Sequence, residues 1–252
     1  MPSILSQYER EYGYNECRQD LHGLYNYLQD RFWISPIENL RRASNKPLQL
    51  RLASKLGLPI PATITTNDPE EAWKFYISHG SKVVYKTLSD GLLASGKDPW
   101  DRQFVLGEVY TTPLENYKRT DFEEVVNCPC LFQEYIPKEI EIRVTIVKDQ
   151  VFTAEIHSQE SPATIYDWRR GGDLNNIIHR IHRLPSDISE KCISLVERLG
   201  LNFGAIDMIL TPSGEYVFLE INPNGQYGWI EVRTGLNISE AIAKALVDGG
   251  KE

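Results

Sequence analysis

Two apolar segments on either side of a short turn restrict the folds that this chain can adopt. FGAIDMIL and EYVFLEIN flank the turn residues TPSG at 211–214. Short apolar runs bounded by Pro and Gly are typical of buried strands, and two such runs around a turn form a β-hairpin. The sequence therefore predicts a buried antiparallel hairpin over these residues.

Three oxygen-bearing side chains interrupt this hairpin. Asp207 lies between apolar neighbours in the first strand, and Glu220 and Asn222 end the second. With a two-residue loop Asp207 faces Glu220, and with a four-residue loop Glu220 is its diagonal neighbour. Both registers put the three side chains on one face of the hairpin, whereas a three-residue loop would break the arrangement.

Two carboxylates and an amide oxygen on one face suit a hard cation. Mg²⁺ prefers oxygen ligands, takes few of them from protein, and completes its shell with water and phosphate. The alternative is that Glu220 and Asn222 are polar residues at a strand end. Asp207 argues against this alternative, because an isolated carboxylate in an apolar strand is costly unless it is paired or metal-bound. The sequence predicts a metal site formed by Asp207, Glu220 and Asn222.

A second hairpin carries another pair of charges. EIRVTIV and VFTAEIH flank Lys148-Asp149-Gln150, and Glu141 and Arg143 share one face of the first strand. A strand with one solvated face has the same pattern, so this pair alone leaves both interpretations open. Upstream, LFQEYI at 131–136 is an apolar segment whose backbone groups suit contact with a flat base.

Two lysines lie at the ends of predicted elements. Lys86 ends the strand KVVYK, and Lys46 opens a helix after Asn45. A lysine at a strand end is often only solvated. It is also where a phosphate-binding lysine lies, with its stem packed and its ammonium group directed at a cleft.

The remaining patterns complete an α+β chain. Helices are predicted over 16–31, 46–56, 68–80 and 187–199 and from 237 onward. Mixed helices and antiparallel hairpins define the α+β class. The chain has 252 residues, which is enough for one large domain or two lobes.

Charge and composition exclude several classes of function. The net charge is -8, whereas a general nucleic-acid binder is normally basic. The N-terminus lacks the features of a signal peptide, and no run approaches the roughly 18 apolar residues of a membrane helix. The four cysteines form no Cys-x-x-Cys pair and are interpreted as reduced thiols. We expect a cytoplasmic protein without nucleic-acid or membrane partners.

The order of these features resembles the ATP-grasp superfamily. The closer resemblance is to the ligases that mature microviridin-type ribosomal peptides, the graspetide macrocyclases, which are relatives of the ligases that add glutamate to ribosomal protein. It is carried by segments such as ASNKPLQLRLASKLGLPIPATITTNDP, FQEYIPKEIEIRVTIV and LGLNFGAIDMILTPSGEYVFLEINPNGQYGWIE. The resemblance covers roughly residue 16 to the C-terminus.

The resemblance implies a fold of two α+β subdomains that hold ATP between them, and it implies a role for each candidate residue. Lys46 and Lys86 would contact the phosphates, and Glu141 the ribose. The adenine hinge would comprise Gln133, Glu134, Tyr135 and Ile136. Asp207, Glu220 and Asn222 would hold Mg²⁺. Arg143 would face the γ-phosphate and the reacting carboxylate, Arg169 would lie on the substrate side, and the loop around Gly91–Gly96 would close over the phosphates.

The implied activity is an ATP-dependent carboxylate ligation. An Asp or Glu side chain of a precursor peptide, possibly one with a leader, would become an acyl phosphate. A Thr or Ser hydroxyl or a Lys amine would then form an ester or amide, with release of ADP and phosphate. Two alternatives stay open: another carboxylate–amine ligase that adds an amino acid to a peptide or protein, and an ATP-binding scaffold with reduced catalysis.

The resemblance also predicts the division of the chain. Residues 46–130 would form the first ATP-grasp subdomain and residues 131–252 the second. The superfamily usually carries an α/β domain ahead of the first ATP-binding lysine, so residues 1–45 are expected to be the remnant of a shortened N-terminal region. An exposed apolar face left there would favour a homodimer.

Overall fold

The computed structural model describes residues 5–89, 91–94, 105–160, 164–167 and 177–250. Its α-helices, in chain order, are α1 (Gln7–Tyr27), α2 (Ile37–Ala43), α3 (Lys46–Lys55), α4 (Pro69–Ser78), α5 (Ser186–Arg198), α6 (Gly228–Thr234) and α7 (Ile238–Gly249). Short 3₁₀ helices span Arg119–Asn127 and Ser158–Glu160. None of the described helices combines the length and the apolar composition that crossing a membrane requires.

The strands form antiparallel sheets. They are β1 (Thr63–Thr66), β2 (Val83–Lys86), β3 (Leu92–Ala94), β4 (Val105–Glu108), β5 (Thr112–Pro113), β6 (Cys130–Glu134), β7 (Ile140–Val147), β8 (Gln150–Ile156), β9 (His179–Ile181), β10 (Phe203–Leu210) and β11 (Tyr216–Asn222). A four-stranded sheet has the order β1-β6-β2-β5, a five-stranded sheet has the order β11-β10-β7-β8-β9, and β3 pairs with β4. The predicted α+β class and both predicted hairpins are confirmed.

Helices cover both faces of the five-stranded sheet. Helices α3 and α5 bury Leu50 and Leu195 against Ile142 and Phe218 on one face. Helices α6 and α7 bury Ile230 and other apolar residues against the opposite face. The amphipathic pattern of α5 explains its position, because its buried residues recur at helical spacing. The sheet that carries the predicted metal residues is therefore held rigidly from both sides.

The four-stranded sheet has a core of its own. Helix α4 begins at Pro69 after Asp68, whose carboxylate accepts hydrogen bonds from the N–H groups of Glu70 and Glu71. This cap and the proline at the first position fix the start of the helix. Tyr76 of α4 and Phe122 of a 3₁₀ helix pack against the strands. This core is separate from the two that cover the faces of the five-stranded sheet, so the structure has two lobes.

The register of β10 and β11 differs from both registers expected from the sequence. Thr211 N–H donates to the Glu215 carbonyl at 2.9 Å, so the loop consists of the three residues 212–214. A three-residue loop alone would place Asp207 opposite Leu219. A β-bulge between β10 and β11, at the step from Met208 to Asp207, shifts the register by one residue. Asp207 therefore pairs with Glu220. The expected loop lengths were wrong, but the expected pairing is confirmed.

The three-residue loop depends on Gly214, which has a φ of +84°. We predict that Gly214→Ala lowers the free energy of unfolding by about 1 kcal/mol, because a side chain is strained in the left-handed region. Gly228→Ala is the matched control: a Cβ at either position meets no atom within 4 Å, and Gly228 has no positive φ. Urea unfolding of both variants measures the difference, and equal free energies would contradict this account of the turn.

Candidate active site

A cavity of about 380 Å³ opens between the two sheets. Residues of the four-stranded sheet line one side of it and residues of the five-stranded sheet line the other. From the first sheet and its flanks come Val84, Lys86, Thr111, Glu134, Tyr135 and Ile136. From the second come Glu141, Arg143, Asp207, Ile209, Leu219, Glu220 and Asn222, with Lys46 and Gln49 of α3 beside them. The cavity therefore collects most of the candidates named from the sequence.

The centre of the site is an ion pair between neighbouring strands. Arg143 on β7 lies directly opposite Asp207 on β10, and its Nη1 donates to both Asp207 oxygens at 2.8 Å. The Asn222 amide donates to Asp207 Oδ2 at 3.1 Å. The Arg143 side chain is only 7% exposed, and the ring of Trp229 lies 5.8 Å from its Cζ. A buried charge of this kind needs a close counterion, which Asp207 supplies.

A second ion pair brings α3 to the same face. Gln49 is buried, and its side chain bonds both backbone groups of Ile221 at the edge of the sheet, donating to the carbonyl at 2.9 Å and accepting from the N–H at 3.1 Å. This contact holds α3 against β11. Lys46, one turn earlier in α3, then lies with its Nζ 3.0 Å from Glu220 Oε2. The role of Gln49 was not predicted, because a glutamine in a helix gives no signal of it in the sequence.

Lys86 adds a further cation at the end of β2. Burial lowers the pKa of Lys86, the nearby Lys46 and Lys138 act in the same direction, and Glu220 and Asp207 oppose the shift. Within the described residues its ammonium group forms no ion pair. A desolvated cation of this kind is suited to bind an anion that enters the cavity.

The hinge segment is only partly directed at the cavity. Glu134, Tyr135 and Ile136 line it, but Gln133 does not. Gln133 is buried within the first sheet, and its amide donates to Thr63 Oγ1 at 3.0 Å. The placement of Gln133 fits a structural role, whereas its three successors reach the space where a base would lie.

The backbone hydrogen bonds of the hinge limit which of its N–H groups a ligand could contact. The N–H groups of Glu134 and Tyr135 donate to the carbonyls of Ala62 and Lys82, each at 2.9 Å. In the described part of the chain no acceptor receives the N–H of Ile136. Of these three N–H groups, that of Ile136 is therefore the one left to contact a base edge.

Glu141 is held by two donors. Lys138 Nζ and Ser158 Oγ each lie 2.6 Å from Glu141 Oε1. Lys138 and the buried Asp167, whose Oδ2 accepts from the Thr111 N–H at 3.4 Å, also line the cavity. Lys138 and Asp167 were not predicted as site residues, because a charged residue in a loop usually lies in water.

Two sequence predictions fall outside what the structure covers. Arg169 lies outside the described residues. The proposed lid around Gly91–Gly96 is described only over 91–94, where β3 begins at Leu92. No role of these residues is tested by the geometry.

The predicted metal ligands can be tested against the chemistry of their donors. In the described ranges no group of three or more His, Cys, Asp or Glu side chains is placed to hold a metal ion. Asp207 and Glu220 nevertheless face each other across β10 and β11, and Asn222 contacts Asp207. Two carboxylates and an amide oxygen fit Mg²⁺, which needs few protein ligands when phosphate and water complete its shell.

A family model describes more than half of the chain. The RimK-like ATP-grasp domain matches residues 113–246. This range contains β6 to β11 and with them the hinge, Glu141, Arg143 and the three predicted metal ligands. The match thus coincides with the part of the cavity that carries most of the candidate site.

Two solved structures resemble the whole chain. The macrocyclase MdnC from Microcystis aeruginosa MRC, bound with the precursor peptide MdnA, is 38% identical with a TM-score of 0.82. A RiPP-associated ATP-grasp ligase of Chryseobacterium gregarium, in complex with ADP and a leader and core peptide, is 32% identical, also with a TM-score of 0.82. Both similarities cover 98% of this chain, and they span 75% and 71% of the respective solved chains.

A more distant similarity is to a probable alpha-L-glutamate ligase of Haemophilus influenzae. The two sequences are 22% identical over 217 residues, which is 84% of this chain. The chain spans 65% of the length of that relative.

The lowered pKa of Lys86 predicts an effect on stability. Burial disfavours the charged lysine in the folded protein, so its charge destabilises the fold at pH values below the folded-state pKa. The destabilisation decreases as the pH rises through the folded-state pKa and is absent above the unfolded-state pKa. Lys86→Met should therefore increase the free energy of unfolding at neutral pH, and the difference from the wild type should shrink as the pH rises.

Urea unfolding at several pH values measures this effect. Lys74→Met, at an exposed position of α4, is the control for loss of a lysine charge and should change little. A Lys86→Met variant that is less stable than the wild type at neutral pH would show that the neighbouring carboxylates outweigh burial.

Proposed function

Because this chain belongs to the RimK-like ATP-grasp family, we propose that it is an ATP-dependent ligase. It activates an Asp or Glu side chain of a peptide as an acyl phosphate and joins it to a Thr or Ser hydroxyl or a Lys amine. The observation that carries the proposal is the cavity of about 380 Å³, in which lysines and an arginine converge on a pair of facing carboxylates. A cavity of this size falls in the range of small-molecule sites.

The peptide substrate is supported by the similar structures. A macrocyclase bound with its precursor peptide and a ligase in complex with leader and core peptides both match 98% of this chain. A second candidate is a ligase that adds an amino acid to a peptide or protein, which the similarity to the probable alpha-L-glutamate ligase favours. The higher identity of the peptide ligases, 38% and 32% against 22%, favours the first.

We propose that ATP lies across the cavity from the hinge to the two lysines. In this proposal the base lies on the hinge at 134–136, between Ile136 and the apolar side chains of Ile209 and Leu219. The ribose lies at Glu141, and the phosphates extend toward Lys46 and Lys86. Gln133 is left out of the ligand contacts because its amide is bonded to Thr63.

Asp207, Glu220 and Asn222 would hold Mg²⁺. The ion would supply positive charge that screens the phosphates from the incoming carboxylate. In the described structure Arg143 and Lys46 are the cations on Asp207 and Glu220. Arg143 and Lys46 are then able to turn toward anionic oxygens of the ligand without leaving the carboxylates unpaired.

The cationic side chains of this chain reduce the electrostatic repulsion that opposes the reaction. A carboxylate and a γ-phosphate are both anionic, so bringing them together requires nearby positive charge. Lys86 and Arg143 provide it at the phosphate end of the cavity. Carboxylate attack on the γ-phosphorus forms the acyl phosphate and releases ADP. The hydroxyl or amine then attacks the carbonyl carbon and displaces phosphate. We propose Arg169 as a substrate-side contact in this second step.

The domain division expected from the sequence stays a proposal. Residues 46–130 and 131–252 form the two ATP-grasp subdomains, with residues 1–45 ahead of them. Strand β6 begins at Cys130 and completes the first sheet, while α3 packs on the second, so the lobes interlock. The cytoplasmic location, the homodimer and the absence of nucleic-acid partners stay predictions.

Asp207→Asn tests the metal assignment. We expect Mg²⁺-dependent ATP binding, measured by calorimetry, to weaken at least about tenfold, because a charged ligand is lost. Asp187→Asn is the control, since Asp187 is an exposed residue of α5 in an ion pair with Lys191. Thermal melting shows whether each variant is folded. Wild-type affinity in a folded Asp207→Asn would contradict the metal site.

The ligase activity is tested with peptides. We expect phosphate release from ATP in the presence of a precursor peptide encoded beside this gene, and loss of one water per bond from the peptide by mass spectrometry. Tandem fragmentation identifies the joined side chains. Tight ATP binding without phosphate release or change in peptide mass would favour the scaffold alternative, and transfer of free glutamate would favour the second candidate.

A further inference from the structure

A buried ion pair on the hinge side of the cavity is not explained by the roles described so far. Lys138 and Glu141 both line the cavity, and their side chains are 4% and 13% exposed. Removing two charges from water is costly unless further hydrogen bonds satisfy them. Lys138 Nζ also donates to the carbonyl of Tyr166 at 3.3 Å, and Ser158 Oγ donates to the carboxylate. The pair is therefore built into the wall of the cavity.

The two donors hold the carboxylate from one side only. Lys138 and Ser158 both reach Oε1 of Glu141, each at 2.6 Å. In the ranges that the structure describes, no donor reaches Oε2. An ionised carboxylate accepts hydrogen bonds at both oxygens, so the second oxygen is available to a ligand in the cavity.

We infer that Lys138 and Ser158 are positioning residues that hold Glu141 so that its second oxygen accepts hydrogen bonds from ribose hydroxyls, which makes the site selective for ribonucleotides. The inference rests on the proposed function, because the sugar is that of ATP. Lys138 lies two residues after Ile136, the last residue of the hinge. In the proposed binding mode, the sugar of a nucleotide whose base contacts the hinge lies close to Lys138. Without the lysine, Glu141 would lose its counterion and the bond that fixes its rotamer.

The second bond of Lys138 explains why a lysine is needed there. Its ammonium group ties Glu141 to the carbonyl of Tyr166, in the described segment 164–167, which has contacts in both lobes. Thr164 donates to the Ser158 carbonyl in the second lobe, and Asp167 accepts from the Thr111 N–H beside β5 of the first. A neutral side chain at 138 would join neither partner as firmly, because charge-assisted hydrogen bonds are the stronger kind.

The test compares ATP with 2′-deoxy-ATP, both with Mg²⁺, by calorimetry. The wild type should bind ATP about tenfold more tightly, as expected for one hydroxyl donating to a carboxylate. Lys138→Met should weaken ATP binding by about that factor and change 2′-deoxy-ATP binding much less, so the ratio falls toward one. Lys138→Arg should keep part of the ratio. Lys191→Met, a surface lysine of α5, should leave the ratio unchanged.

The outcomes separate this inference from the proposed function. Equal losses for both nucleotides in Lys138→Met, with the ratio preserved, would overturn the inference, since a purely structural ion pair acts on both alike. A wild type without preference for ATP would overturn it as well. If Lys138→Met does not fold, Ser158→Ala decides in the same assay, because it removes one donor and little volume. Failure of the wild type to bind either nucleotide would overturn the proposed function and the inference with it.

Discussion

The pairing of Arg143 with Asp207 fixes the geometry on which the rest of the site depends. Both residues lie on inner strands of the five-stranded sheet, directly opposite each other. Arg143 is buried, so its charge would be costly without a counterion, and Asp207 is flanked by core residues that offer none of their own. Each charge therefore offsets part of the cost of burying the other. Because the strands are held between helices on both faces, the backbone positions of the two residues are defined, and their side chains meet at the centre of the cavity wall.

Around the Arg143–Asp207 pair, cationic side chains and carboxylates lie next to each other along the cavity wall. Lys46 pairs with Glu220 and Lys138 pairs with Glu141, while Glu220 and Asp207 partly offset the lowering of the Lys86 pKa by burial. A polyanionic ligand that entered would compete for the lysines and leave the carboxylates unpaired. A divalent cation would compensate those carboxylates. In the proposed function, nucleotide and metal therefore favour each other's binding, and the cause is the charge balance of the chain itself.

The sequence predicted the composition of the site better than its internal contacts. Asp207, Glu220 and Asn222 were found because polar residues in an apolar hairpin are costly without a partner, and the structure brings them together. That Arg143 is the partner of Asp207 was not predicted, because it depends on the pairing of β7 with β10, which are about 60 residues apart in the chain. Lys138, Gln49 and Asp167 were missed for a related reason. Their roles come from tertiary burial, which a single charged or amide residue in a loop or helix does not signal.

The hairpin loop shows how a wrong local expectation led to a correct pairing. A two-residue loop would place Asp207 opposite Glu220 without a bulge, but the alternation of the strand would then turn Phe218 to the cavity and Leu219 to the core. In the structure Phe218 is fully buried in the core, while Leu219 and Glu220 both line the cavity. Two consecutive residues can share a face only at a bulge. The three-residue loop and the bulge thus act together: they keep Phe218 in the core and place Leu219 beside Glu220 on the cavity side.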